Sequence, residues 1–225
     1  MARQARLVLP GLAHLVSLHA LKGVDAFPAE ADRDRFLAFM QEAAVTAPLQ
    51  VHAHALLPDQ VRVLATPNEA AAISSWVQAV GRRYVSAYNR SYSRSGTIWA
   101  GRFRCAPVEP GAWCLRALRF VDGAIADRAL TSAGQRCGGP RAWPWVDPPE
   151  YWALGNTPFE RESAYERLLA EPLSETELDK MRRCLSGGWV CGSGPFASGL
   201  HSAATRRASP RPRGRPSRKD NLSPA

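Results

Sequence analysis

Two histidines stand one residue apart at His52-Ala53-His54, inside an apolar run, and this spacing is the first in the chain that invites chemistry. Alternate residues of a strand point to one face, so a pair at i and i+2 sets two imidazoles side by side, the beginning of a divalent-metal site. The competing reading makes His54 a packing residue and leaves the metal out. Tyr84, Tyr88 and Tyr92 recur every four residues, which aligns them on one helix stripe, either as core or as oxygen nucleophiles. His14, His19 and His201 are isolated and carry no chemistry. The cysteines (Cys105, Cys114, Cys137, Cys184, Cys191) show no paired spacing and no histidine cluster, and read as reduced thiols.

Arginine is the other residue type placed to act. Arg82 to Arg104 holds six arginines (Arg82, Arg83, Arg90, Arg94, Arg102, Arg104) and no acid, while Arg206 to Asp220 holds seven basic residues against one acidic. The chain of 225 residues has a formal charge of +9, with 29 basic and 20 acidic residues, so outside these two zones it is slightly acidic. Two basic zones on a near-neutral body point to an anionic polymer such as nucleic acid; the bland alternative is a solvated helix face with a frayed tail. Tyr88, Tyr92 and Trp99 are interleaved with the first zone, a pairing of phosphate-binding and base-stacking groups. Trp99 and Phe103 serve equally well as core. In the second zone, Pro212-Arg213-Gly214-Arg215-Pro216 matches the AT-hook pattern, in which glycine lets the backbone press into a narrow minor groove while arginines lie along its floor.

These side chains need a scaffold, and apolar periodicity outlines it. Residues 6–10 and 14–18 read as short extended segments, and Phe27-Pro28 opens a helix whose Phe36, Leu37, Met40 and Ala44 recur until Pro48. Residues 49–57 and 61–65 form a hairpin around Pro58-Asp59. A long amphipathic helix follows over 69–92, then a strand near 102–108 and a helix over 112–130. This order predicts an α+β fold of the ferredoxin-like, split βαβ type: an antiparallel sheet with helices on one face. The Gly- and Pro-rich stretch 133–149 reads as a connector. Asn156-Thr157-Pro158 and Ser174-Glu175-Thr176-Glu177 then cap two helices of a small C-terminal annex. The organisation expected is a domain over 1–132, a connector and annex over 133–202, and a disordered basic tail over 203–225. No apolar run is long enough to span a membrane, so a cytoplasmic protein is expected.

Read in order, several motifs resemble the REP-associated tyrosine transposases, relatives of the insertion-sequence-200 type within the His-hydrophobe-His nuclease superfamily. Pro10-Gly11 precedes a strand. Leu57-Pro58-Asp59-Gln60-Val61-Arg62 occupies the place of the family's Met-Pro-Asn-His-x-His segment. Tyr88-Asn89-Arg90 matches an aromatic-Asn-Arg element, and Gly96 to Phe103 matches Gly-x-x-aromatic-x-Gly-Arg-aromatic. Leu118-Arg119-Phe120-Val121-Asp122 aligns with the nucleophile helix. Gly188 to Gly192, Phe196 and Gly214-Arg215-Pro216 follow the order of longer members. The resemblance spans nearly the whole chain and rests on order and spacing together.

The resemblance implies two metal-binding histidines, a third polar ligand and a tyrosine that attacks the scissile phosphate. Here Gln60 and Arg62 stand at the histidine positions and Phe120 at the tyrosine, while Asp122 and Ala124 take the polar positions beyond it. Arginine offers only donors and a permanent positive charge, and phenylalanine has no oxygen to form an ester. No catalytic residue and no cofactor is therefore expected, and the function read from the sequence is DNA binding without cleavage. The implied partners are single-stranded or hairpin DNA, bound by Arg82, Arg83, Tyr88, Arg90, Arg94 and Arg102, and A·T-rich duplex, bound by Arg213, Gly214, Arg215 and Pro216. A homodimer is usual in such a family. Two other readings stand beside this one: an active transposase using magnesium or manganese with His52, His54 or another tyrosine, and an RNA-binding module on a similar sheet.

Overall fold

The computed structural model describes residues 5–139, 145–200 and 207–210. Four strands, β1 (His14–His19), β2 (Leu49–Leu57), β3 (Gln60–Pro67) and β4 (Arg104–Pro107), form a sheet in the order β2-β3-β1-β4. Every neighbouring pair is antiparallel. With α1 (Glu30–Thr46) between β1 and β2, and α2 (Ala72–Ser91) between β3 and β4, the layout is the split βαβ arrangement expected.

The helices begin and end where local chemistry dictates. The α1 helix starts after Pro28, where Asp32 accepts the Ala29 amide, and stops before Pro48; Phe36, Met40 and Ala43 turn inward. The α2 helix buries Ile73, Trp76, Val77, Val80, Tyr84 and Tyr88 in one stripe. Each fully buried apolar side chain of this kind contributes about 1.5–3 kcal/mol. Two expected segments differ. Residues 6–10 pair with no strand, and the helix expected over 112–130 ends early as α3 (Ala112–Asp122), because Gly123 closes it and Asp127 caps a separate 3-10 turn at Arg128–Leu130.

The sheet is covered on both faces, not on one as expected. Val16, Leu18, Leu56, Val61 and Val63 face α1 and α2, whereas Leu15, Ala53, Ala55, Leu64 and Ala106 face α3. The cause is in the strands themselves, whose second face carries Leu15, Ala53, Ala55, Leu64 and Ala106 and so has apolar surface of its own to hide. The short α4 (Ala133–Arg136) and α5 (Pro149–Trp152), with α6 (Pro158–Ala170) and α7 (Glu175–Gly187), complete that second layer, so Tyr151, Tyr165, Met181 and Leu185 share a core with the sheet. Thr157 and Ser174 cap α6 and α7 through capping boxes, as their sequences predict.

A third cluster gathers Leu7, Val190, Ala197 of α8 (Gly194–Gly199) and Ala208. Ala208 is fully buried, and its carbonyl accepts the Val190 amide at 2.9 Å. Residues 207–210 are thus docked, a correction to the tail expected to be disordered from 203. The reason is that one small apolar residue, Ala208, fits a pocket between the N-terminal arm and α8. No described helix is long and apolar enough to cross a membrane.

Candidate nucleic-acid interface and the substituted site

Gln60 and Arg62 alternate with the buried Val61 and Val63 on β3, so both side chains face α3, and α3 delivers Phe120 to the same place. Separate elements therefore bring together Gln60, Arg62 and Phe120, the three positions singled out from the sequence. The Arg62 guanidinium lies 4.5 Å from the centroid of the Phe120 ring. It donates to the Phe120 carbonyl at 3.4 Å and to Gln60 Oε1 at 3.3 Å. The Gln60 amide nitrogen stands 3.5 Å from His19 on the neighbouring strand. Burial, then the nearby Arg182, pulls the Arg62 pKa down from its ordinary value. A divalent metal does not fit this arrangement, because the position it would approach is filled by a cation that offers donors only. Beside it opens a cleft of about 300 Å³ lined by Arg62, Arg119, Phe120, Leu173 and Arg182.

Asp122, which the resemblance set at a polar position beyond Phe120, is engaged elsewhere. Its carboxylate receives Arg136 at 2.9 Å and the Tyr165 hydroxyl at 2.6 Å, and Ser132 also donates to it. Arg136 is buried and meets Asp147 at 2.9 Å as well; its remaining terminal nitrogen donates to the His52 carbonyl. One guanidinium thus joins α3, α4, the segment before α5 and the outer edge of β2. This network occupies Asp122 in holding the fold together.

His52 and His54 do not converge. A β-bulge between Val51 and Ala53 breaks the alternation, so the i, i+2 rule fails at this point of β2. The His52 ring bonds the Val146 carbonyl and the Thr66 hydroxyl, while His54 stacks on Trp145 with ring centroids 4.8 Å apart. Both imidazoles are buried, and burial pushes the His54 pKa down to about 3. Among the described residues no group of three or more His, Cys, Asp or Glu side chains is placed to hold a metal ion.

The tyrosine stripe belongs to the first core. Tyr84 is fully buried, its hydroxyl donating to the Ala26 carbonyl, and burial pushes its pKa upward. Tyr88 is 4% exposed and donates to the Asp25 carbonyl at 2.9 Å. Its expected role as a DNA contact is corrected: the α2 stripe that carries Tyr88 faces α1 and the sheet, so no base can reach its ring. Tyr92, at the helix end, is partly exposed and donates to Asp32, which raises its pKa to about 12.

The arginines sit on the surface. Arg82, Arg83, Arg90, Arg94 and Arg102 are all exposed. Arg83 is partly committed, pairing with Glu42 and lying over the Phe39 ring at 4.6 Å. Arg94 lies 5.7 Å from the Tyr88 ring centroid. Arg213, Gly214, Arg215 and Pro216 lie outside the described residues. Arg6, Arg119, Arg136 and Arg182 escaped the sequence reading, since all lie outside the two basic zones; Arg119 alone had a signal, its place next to Phe120 in the motif that carries the resemblance.

No family model and no curated protein matches the sequence. Among solved structures, the chain is similar to a REP-associated tyrosine transposase bound to a REP hairpin, at 13% identity over 54% of this chain and 70% of that one, with a TM-score of 0.46. It is also similar to a protein from Deinococcus radiodurans R1 described as a transposase, at 20% identity over 49% of this chain and 88% of that one, with a TM-score of 0.36.

Proposed function

We propose that this chain binds single-stranded or hairpin DNA in the manner of a single-tyrosine transposase whose cutting chemistry has been lost. The observation that carries the reading is the contact of Arg62 with Phe120. It joins two positions where the resemblance calls for a metal ligand and a nucleophile, and it supplies a cation and an oxygen-free ring. The exposed arginines of α2 and the loop after it provide phosphate contacts, which position a nucleic acid without reading its sequence. The Arg213 to Pro216 segment adds affinity for A·T-rich duplex. Binding of this kind needs no cofactor, and its place is the cytoplasm, where the DNA is; a homodimer is the assembly the resemblance suggests.

The active-transposase alternative loses support from the geometry, since His52 and His54 are separated by a bulge and Tyr84 and Tyr88 are buried. The test is a pair of assays on one labelled DNA hairpin. Titration should give salt-dependent binding that exceeds binding to the equivalent RNA hairpin, and incubation with magnesium or manganese should give no nicked product. Tighter binding of the RNA hairpin, or metal-dependent nicking, overturns the reading.

A further inference from the structure

The start of β4 carries an arginine-lined surface distinct from the outer face of α2. Arg6, Arg102 and Arg104 border a cleft of about 310 Å³ whose opposite wall is the last turn of α7, Leu185 to Gly188. Among the described residues no carboxylate lines it. Among the described residues Arg102 and Arg104 have no ion-pair partner, although other surface arginines such as Arg83, Arg128 and Arg182 do. Arg6 is held in place: its Nε donates to the Phe103 carbonyl at 3.1 Å and its guanidinium lies 3.5 Å from the Phe103 ring centroid. Its two terminal nitrogens have no acceptor among the described residues. Burial and the charge of Arg102 both lower the Arg6 pKa, as expected where cations crowd without an anion.

Helix dipoles offer a plainer use for such arginines, because a helix C-terminus attracts cations. That use does not account for these three. The end of α7 is closed by its own chain, Gly188 donating to the Leu185 carbonyl and Trp189 to that of Cys184, and none of the three arginines donates to a carbonyl of α7. The sheet also links the cleft to the substituted site. Arg104 pairs with Ser17 on β1, and Ser17 pairs with Arg62 on β3. The row lies on the face that carries Leu15, Leu64 and Ala106, and two strand spacings set Arg104 and Arg62 about 10 Å apart.

We infer that the cleft between β4 and α7 is the path of a single DNA strand, whose phosphates lie against Arg6, Arg102 and Arg104 and which runs on toward Arg62 and Phe120. The concavity has arginines on one side and a helix end on the other, a shape suited to a single phosphate backbone. The inference rests on the DNA-binding reading and adds to it where the unpaired strand goes.

The experiment uses the full chain, a DNA hairpin with single-stranded tails and the same hairpin with a blunt end. Arg102→Gln with Arg104→Gln should weaken tailed-hairpin binding about tenfold and lower its salt slope by about two, one for each phosphate that is no longer neutralised. Blunt-hairpin binding should change less, and thermal melting should match the wild type, since both side chains are exposed. Arg82→Gln with Arg90→Gln, on α2, is the comparison that should not discriminate tails from blunt ends. If the β4 variant keeps wild-type affinity and slope for the tailed hairpin, the strand path is wrong while DNA binding stands. If the wild type prefers RNA tails through the same arginines, the assignment to DNA falls. Failure of the wild type to bind either hairpin would overturn the DNA-binding reading itself.

Discussion

Arg136 meets the Asp122 carboxylate at 2.9 Å with both side chains buried, and the same guanidinium holds Asp147 at the same distance. Removing the cation alone would leave two carboxylates in a dry interior. Breaking a buried pair from one side costs about 3–5 kcal/mol, more than a neutral core substitution of similar size. Arg136→Met should therefore destabilise the protein by about that amount, read as a shift in the urea midpoint at pH 7 with an unchanged slope. A shift under about 1 kcal/mol would mean that water reaches the network.

The contact between Arg62 and Phe120 leads to a second expectation. Purified protein with magnesium or manganese should form no covalent adduct with hairpin DNA on a denaturing gel. Replacing Gln60 and Arg62 by histidine and Phe120 by tyrosine should still yield none, because Asp122 remains committed to Arg136 and Tyr165 and Ala124 supplies no ligand. An adduct from the wild type would show that another residue attacks phosphorus.

His14 and His54 set an acid limit. His14 is fully buried as the neutral ring, with Nδ1 donating to the Leu12 carbonyl and Nε2 accepting the Leu9 amide, and burial lowers its pKa to about 4. For His54 burial lowers the pKa to about 3. Both folded values lie below the ordinary 6.5, so the unfolded chain takes up protons first. Stability is complete above pH 6.5 and falls as the pH drops through the window toward 4, by about 1.4 kcal/mol per pH unit for each ring. His54→Phe keeps the stack on Trp145 and should remove one of these two contributions, which urea titrations at pH 6.5, 5.5 and 4.5 would reveal. Parallel curves for variant and wild type would show that His54 protonates in place.

The docking of Ala208 divides the tail in two. Ending the chain after Pro210 should preserve thermal stability, whereas ending it after Leu200 removes Ala208 from the cluster with Leu7, Val190 and Ala197 and should lower the melting temperature by a few degrees. Equal melting of the two truncations would show that the docked segment adds nothing. The longer truncation product should also lose any preference for A·T-rich over G·C-rich duplex, as should Arg213→Ala with Arg215→Ala in the full chain. A preference that survives in both would place groove recognition in the folded body.

How far the sequence could be read depended on the kind of signal each part carries. Local periodicity located β2, α2, the hairpin turn and the caps of α6 and α7 to within a few residues, because side-chain spacing alone sets those elements. The convergence of Gln60, Arg62 and Phe120 was legible through motif order. The separation of His52 from His54 was not, since a bulge shifts the register by one residue and leaves no compositional trace. Arg136 was equally hidden. It lies in a Gly-rich stretch whose composition reads as a loop, and only the closed fold brings it to Asp122. Tyr88 misled for a related reason: an aromatic beside arginines looks the same in sequence whether it faces solvent or core.

The covering of β2 limits how copies of this protein can associate. The outward side of that nine-residue strand is taken up by the Val146 amide on the Val51 carbonyl, Arg136 on that of His52, and Ser132 on both backbone groups of His54. At the opposite margin Cys191 bonds Pro107 and Glu109 beside β4. Along β2 a foreign strand meets backbone groups that are already taken, which guards that strand against edge-to-edge aggregation. Pairing of a second copy along β2 would first require Ser132, Arg136 and Val146 to leave its edge.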